Sequence, residues 1–157
     1  MRRRAWVNGV DEWSDRWPVD FQISQNHGTG LISQGTEEWR DYTARARVRI
    51  PLATSAGLAA RIGGLRRYYA VVLSDDGTAR LVRARNGVET LAERAFAWEV
   101  ERDYDLELTV VGDRIRAIVD GEVILEATDD RPLTGGGVGL VAQDGTLVSG
   151  PVSVTAR

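Results

Sequence analysis

The chain contains no cysteine, which excludes both a disulfide framework and any thiolate metal site. With a single histidine, a histidine-held metal is excluded as well. Lysine is also missing, so all twenty basic residues are arginine. We read this as a bias of composition before any selection for guanidinium chemistry. The net charge of −3 lacks the basic excess of a nucleic-acid or anionic-membrane binder. No apolar run approaches the ~18 residues of a membrane-spanning helix. Met1-Arg2-Arg3-Arg4 is followed by Ala5-Trp6-Val7-Asn8-Gly9, not by the apolar core of a signal peptide. The absence of cysteine is compatible with the cytoplasm, which is slightly favoured, but does not fix the compartment. No G-x-x-x-x-G-K-[ST] loop occurs, and no Rossmann fingerprint links a strand to a helix.

What is present is a soluble, globular composition, with 43% hydrophobic and 27% charged residues. At 157 residues the chain suits one domain that buries roughly two-thirds of its unfolded surface. Period-two patterning dominates. Ala44, Ala46, Val48 and Ile50 alternate with Thr43, Arg45, Arg47 and Arg49, and this strand is expected to end at Pro51. Tyr104, Leu106, Leu108 and Val110 alternate with Asp103, Asp105, Glu107 and Thr109. Both are half-buried strands. In the central stretch 57–85, Tyr69, Val71 and Leu73 share one face of a hairpin arm, with Ala70 and Val72 on the other. Asp75-Asp76-Gly77-Thr78 and Asn86-Gly87 supply turns.

Further short strands are expected over 114–119, 122–127, 138–142 and around Val152, Val154 and Ala156. Gln25-Asn26-His27-Gly28-Thr29-Gly30 reads as a polar loop between the short strands of Phe21, Ile23 and Leu31, Ile32. Residues 1–20 read as an irregular leader carrying Trp6, Trp13 and Trp17, packed on the domain as a large aromatic segment should be. With no helical window and no crossover long enough for a parallel unit, the fold class is all-β. We expect an antiparallel two-sheet jelly-roll sandwich over residues 1–157, with an up-and-down barrel as the alternative.

The motif order Trp39-x-Asp41-Tyr42, Gly57-Leu58-Ala59-Ala60-Arg61, Arg67–Leu73, Tyr104–Ile115 and Val119-Asp120-Gly121 resembles the concanavalin A-like jelly rolls. These include laminin-G-like modules, accessory carbohydrate-binding modules and 3-keto-disaccharide hydrolase-type domains. More narrowly, Gln25–Leu31 with Gln34–Trp39 resembles the β-sandwich appended to some bacterial ADP-ribosylglycohydrolase-family proteins. The helical catalytic domain of those proteins, with its paired-carboxylate magnesium sites, has no counterpart here. The resemblance implies a concave-sheet ligand site to which the strands of 57–73 contribute, and an accessory role beside a catalytic partner domain.

Aromatic faces with guanidinium forks suit a sugar ring with polar edges, and amides hold sugar hydroxyls. The candidate ligand contacts are therefore Arg61, Arg67, Tyr68, Gln25, Asn26 and His27, with Trp98 as a further platform. The expected ligand is a carbohydrate or a sugar nucleotide such as ADP-ribose. Two other readings stand beside it. The row Glu101, Asp103, Asp105, Glu107 could act as a glycosidase pair, although it misses the expected spacing of glutamates; as a solvated face it would pair with Arg114 and Arg116. A purely structural domain would instead dock through Trp6, Trp13 and Trp17. No cofactor is expected, apart from a structural calcium among Asp75, Asp76, Asp129 and Asp130.

Overall fold

The computed structural model describes residues 7–9, 12–16, 20–100 and 102–157, with side chains from residue 25 onward except those of Asn26 and His27. The strands are β1 (Val7–Gly9), β2 (Glu12–Arg16), β3 (Asp20–Gln34), β4 (Tyr42–Leu52), β5 (Ser55–Gly64), β6 (Arg67–Ser74) and β7 (Thr78–Arg85). They continue with β8 (Val88–Ala95), β9 (Tyr104–Val111), β10 (Arg114–Val119), β11 (Glu122–Thr128), β12 (Gly137–Ser149) and β13 (Ser153–Ala156). Pairing is antiparallel throughout, in the order β11-β10-β9-β4-β12-β5-β6-β7-β8, with β3 along the other side of β12. This order is not sequential, so the sandwich holds and the up-and-down barrel does not.

The turns follow their residues. Asn86 and Asp120 adopt positive φ, at 54° and 50°, each ahead of a glycine, the conformation that suits the twist of a tight hairpin. In the β6–β7 turn, Asp76 Oδ1 accepts hydrogen bonds from Thr78 N at 3.2 Å and Thr78 Oγ1 at 2.6 Å.

Three expectations need correction. The Gln25–Gly30 stretch is not a loop but part of the 15-residue β3. A register shift opposite, between Gln143 and Gly145, absorbs the irregularity. There Asp144 has φ 48° and its Oδ1 accepts Gly28 N at 2.7 Å. The leader is not wholly irregular, because β1 and β2 both pair with β3; the side chains of Trp6, Trp13 and Trp17 lie outside the described residues. Pro51 does not end β4, since Leu52 still pairs with Thr146; Pro51 is exposed and falls at the register shift between Thr146 and Val148, and a bulge tolerates the missing donor.

Alternation sorts the side chains into two apolar clusters. The larger fills the space between the sheets, with Leu58, Tyr69, Val71, Leu73 and Leu81 meeting Val48, Leu106, Leu108 and Ile115. Each such fully buried side chain contributes about 1.5–3 kcal/mol. The smaller lies on the opposite face of β5, β6 and β7, and includes Ala59, Tyr68, Ala70, Val72 and Val82. Strands β5 and β6 are therefore buried on both faces, which is why they read as near-continuous apolar runs.

One charged side chain sits inside this framework. Arg61 is 1% exposed and stands at a bulge of β5 with φ 49°. Its Nε donates to Arg40 O at 2.9 Å, one terminal nitrogen to Gly112 O and Leu133 O at 2.6 and 2.9 Å, and the other to Asp41 Oδ1 at 3.1 Å. Its backbone N–H donates to Tyr42 Oη at 2.6 Å, and that hydroxyl reaches Gly136 O and Gly137 O. A second knot lies nearby. Asp129 accepts from Tyr69 Oη at 2.6 Å, from Arg83 at 2.5 Å and from Arg131 N at 3.0 Å, while Leu133 N donates to Tyr69 Oη.

Burial pushes the Tyr42 hydroxyl up to about 12, partly offset by the Arg61 N–H and charge. Burial, reinforced by Asp129, likewise pushes Tyr69 up to about 12.

Two outcomes are expected. Arg61→Met strands three backbone carbonyls and should cost roughly 3–5 kcal/mol, lowering Tm by roughly 6–20 °C for a chain of this size. Arg61→Lys should recover only part of this, lacking the planar fork; calorimetry of the three proteins decides it. In the second, a tyrosine whose folded pKa lies above the unfolded ~10 contributes stability that is complete below pH ~10 and lost as pH rises toward 12. Tyrosinate absorbance should therefore rise together with unfolding, with Tyr42 and Tyr69 uncharged up to that point.

Candidate functional site

The outer face of β3, β12, β5, β6, β7 and β8 is built from cross-strand rows. Register aligns Thr29, Gln143, Ser55 and Ser74 as a polar row. The next row is Leu31, Val141, Gly57, Val72 and Arg80. Then come Gly139, Ala59, Ala70, Val82 and Thr90, and finally Tyr68, Ala84 and Val88. Small residues occupy the middle of the face and larger ones its margin, so the sheet surface is dished. Gly57 and Gly139 are obligatory there, because a β-carbon would fall 1.8 Å from Val71 O and 1.9 Å from Ile32 O.

A cavity of about 230 Å³ opens over these rows. Its floor is Val72, Val82 and Val141, with Tyr68 and Val88 at one end and Thr29, Ser55, Ser74 and Gln143 at the other. This is an apolar floor with a few polar groups, the usual make-up of a small-molecule site. The volume falls below the roughly 300–1,000 Å³ of drug-sized pockets and suits a single sugar ring. Ser55 Oγ donates to Gln143 Oε1 at 3.2 Å, which turns the amide nitrogen of Gln143 to other partners. Arg80, at the margin, is held by Asp76, Glu93 and Ser74 Oγ. Tyr68 is buried, which pushes its hydroxyl pKa up. Among the described residues that hydroxyl has no hydrogen-bond partner.

The structure separates the residues expected from sequence. Tyr68 lines the cavity. Gln25 lies on β3, opposite Gly145, one bulge away from Thr29. The side chains of Asn26 and His27 lie outside the described residues. Arg61 does not face a ligand, because its guanidinium is consumed by the internal clamp. Arg67 leaves the other face of β6 and lines a different cleft, with Glu37, Glu38 and Arg40. Trp98 is no platform on this face: it packs at the margin of the main core and donates Nε1–H to Ser74 O at 2.8 Å. Sequence reading missed Gln143, Ser55, Thr29 and Thr90, whose convergence depends on strand register.

Of the carboxylate row, Glu101 lies outside the described residues, while Asp103 and Asp105 are ion-paired on an outer face. Arg45 holds Asp105 through two hydrogen bonds of 3.0 and 2.5 Å, and Arg49 stands 4.0 Å from Asp103. The ion-pair partners thus come from β4; β10 also pairs with β9, but its Arg116 is paired with Glu126 on β11. The hydrogen bonds from Arg45 hold the Asp105 carboxyl below the usual carboxylate range, with burial opposing them. A general acid requires the reverse shift. Asp129 and Asp76 are likewise taken up by arginine and local donors. Among the described residues no group of three or more histidine, aspartate or glutamate side chains is placed to hold a metal.

No protein-family model matches the sequence, and no curated protein does. Solved structures match in fold. Carbohydrate-binding module CBM66 from Bacillus subtilis aligns at TM-score 0.86 and 20% identity, covering 97% of this chain and 96% of the module. The GH43 protein BlXynB of Bacillus licheniformis aligns at TM-score 0.70 and 17% identity, covering 98% of this chain but 37% of that one. Galectin LEC-6 of Caenorhabditis elegans aligns at TM-score 0.58 and 17% identity, covering 96% of each. The narrower likeness to ADP-ribosylglycohydrolase-appended domains finds no support in these structures. The fold is that of the galectin-like, concanavalin A-like β-sandwiches.

Proposed function

We propose that this chain is a non-catalytic carbohydrate-binding module that takes one sugar ring in the dish on its outer sheet face. The observation that carries the reading is the unpartnered Tyr68 hydroxyl at one end of an apolar floor, facing a row of serine, threonine and glutamine. The C–H face of a sugar would lie on Val72, Val82 and Val141. Its hydroxyls would meet Tyr68 Oη, the Gln143 amide and the Ser55 and Thr29 hydroxyls, each hydrogen bond contributing a net ~0.5–1.5 kcal/mol. The similarity in fold to a carbohydrate-binding module and to a galectin supports this choice of ligand class. An accessory role beside a catalytic domain is part of the proposal, supported by the alignment of this fold to a minor part of a larger GH43 protein. A sugar nucleotide such as ADP-ribose would engage the dish through its ribose alone.

The test is titration of the full chain with neutral mono- and oligosaccharides and with ADP-ribose, followed by NMR. Binding should move the Gln143 side-chain amide and the backbone amides of Val72 and Val82. Tyr68→Phe keeps the packing and should weaken binding roughly 2–10-fold with little change in Tm; Gln143→Ala should act in the same direction. Tyr68→Ala is the poorer variant, because a cavity there would itself cost roughly 3–5 kcal/mol. Unchanged spectra with every sugar would overturn the proposal.

A further inference from the structure

A second cleft, of about 490 Å³, opens where the β3–β4 loop, the β5–β6 turn and the loop before β12 meet, and it is lined by charge of both signs. Arg40 and Arg67 stand in it with Glu37 and Glu38, beside Thr134. All five are exposed. Among the described residues, none of the four charged side chains has an ion-pair partner. Two cations and two anions thus share one cleft without forming an ion pair.

The cleft is built and not merely open. Arg67 lays its stem on Gly63, where a β-carbon would stand 3.1 Å from Cδ. The turn carrying Glu37 and Glu38 is closed by Trp39 N to Thr36 O at 3.2 Å and tied to the facing loop by Gly136 N to Trp39 O at 2.9 Å. Arg61 holds both walls, through Arg40 O and Leu133 O. A further cation stands behind Arg67. Its cross-strand neighbour is Arg85, a like-charge pairing that is unfavourable without an anion. Arg85 Nε is buried with no hydrogen-bond partner among the described residues.

We propose that this cleft is a second sugar subsite, selective for a uronic-acid residue of an acidic polysaccharide. The planar carboxylate of a uronate matches the guanidinium forks of Arg67 and Arg40, and its ring hydroxyls donate to the carboxylates of Glu37 and Glu38. A neutral sugar leaves the arginines unanswered; a bare anion leaves the glutamates so. The inference rests on the carbohydrate-binding reading and names a ligand class for a different face. Tyr68 and Arg67 are consecutive residues on opposite faces of β6, so the two subsites share a strand and not a surface.

The test titrates the full chain with tetragalacturonate, its methyl ester and inorganic sulfate, reading the Arg67 Nε–H and the Gly63 and Gly135 amides by NMR. Tetragalacturonate should shift these signals and the ester should not. Arg67→Met should weaken uronate binding roughly 10- to 100-fold, with neutral-sugar shifts at Gln143 unchanged. Glu38→Gln, alone and combined with Glu37→Gln, should weaken it as well. Equal binding of the ester would overturn the proposal. So would full competition by sulfate with no effect of the glutamine variants, which would make this an anion site only. Uronate silence while neutral sugars still shift Gln143 would sink the cleft and spare the dish; silence from every sugar would sink both.

Discussion

The structure depends on a cation held where water does not reach. Arg61 stands in an otherwise apolar strand and is answered by three backbone carbonyls and one carboxylate from three separate connections. Those connections are irregular, and irregular backbone at the end of a sandwich has carbonyls that no sheet ladder satisfies. One guanidinium collects them. Tyr42 and Tyr69 extend the arrangement with hydroxyls that both donate and accept, so the loop from Asp129 to Gly136 is fixed against the core through side chains and not through strand pairing. The charge is costly to bury, and what it secures is the geometry of the loops that carry the candidate cleft.

The two sheets divide their chemistry accordingly. On the β4–β9 sheet the outward side chains are arginines and carboxylates, of which Arg45–Asp105 and Arg49–Asp103 pair across strands, a face whose individual pairs contribute little to stability. On the β5–β7 sheet the outward side chains are glycine, alanine and valine with a polar margin. A fold alone does not dictate function. The contrast between a self-neutralised face and one with an unpartnered phenol hydroxyl over an apolar floor is what points to the latter.

Much of the fold was legible in the chain. Strict alternation in 43–50 and 104–110, and turn residues at Asp76-Gly77, Asn86-Gly87 and Asp120-Gly121, identify strands and hairpins because the physics is local. The site was less legible. Thr29, Gln143, Ser55 and Ser74 meet only through the pairing of four strands far apart in sequence, and no local pattern encodes that register. Arg61 was misread for a related reason: beside Tyr68 and Tyr69 it looks like a ligand fork. Its flanks, Ala59-Ala60 and Ile62, held the counter-signal, since a lone charge within a run buried on both faces must be satisfied from inside. The β3 bulge was mistaken for a loop because glycine and polar residues signal both, and only the facing Asp144 distinguishes them.

Strand β12 lies between β3 and β5 along its first half and between β3 and β4 along its second. It comes after all three in the chain. During vectorial synthesis the long edges of β3, β4 and β5 therefore exist before the segment that joins them. The runs β5–β8 and β4–β9–β10–β11 cannot be joined until Gly137–Ser149 has emerged, and until then the nascent chain presents unpaired backbone edges of the kind that recruit foreign strands. Folding of the sandwich thus waits on this one segment, and a ribosome stalled before Gly137 would hold most of the core residues with no sandwich to put them in.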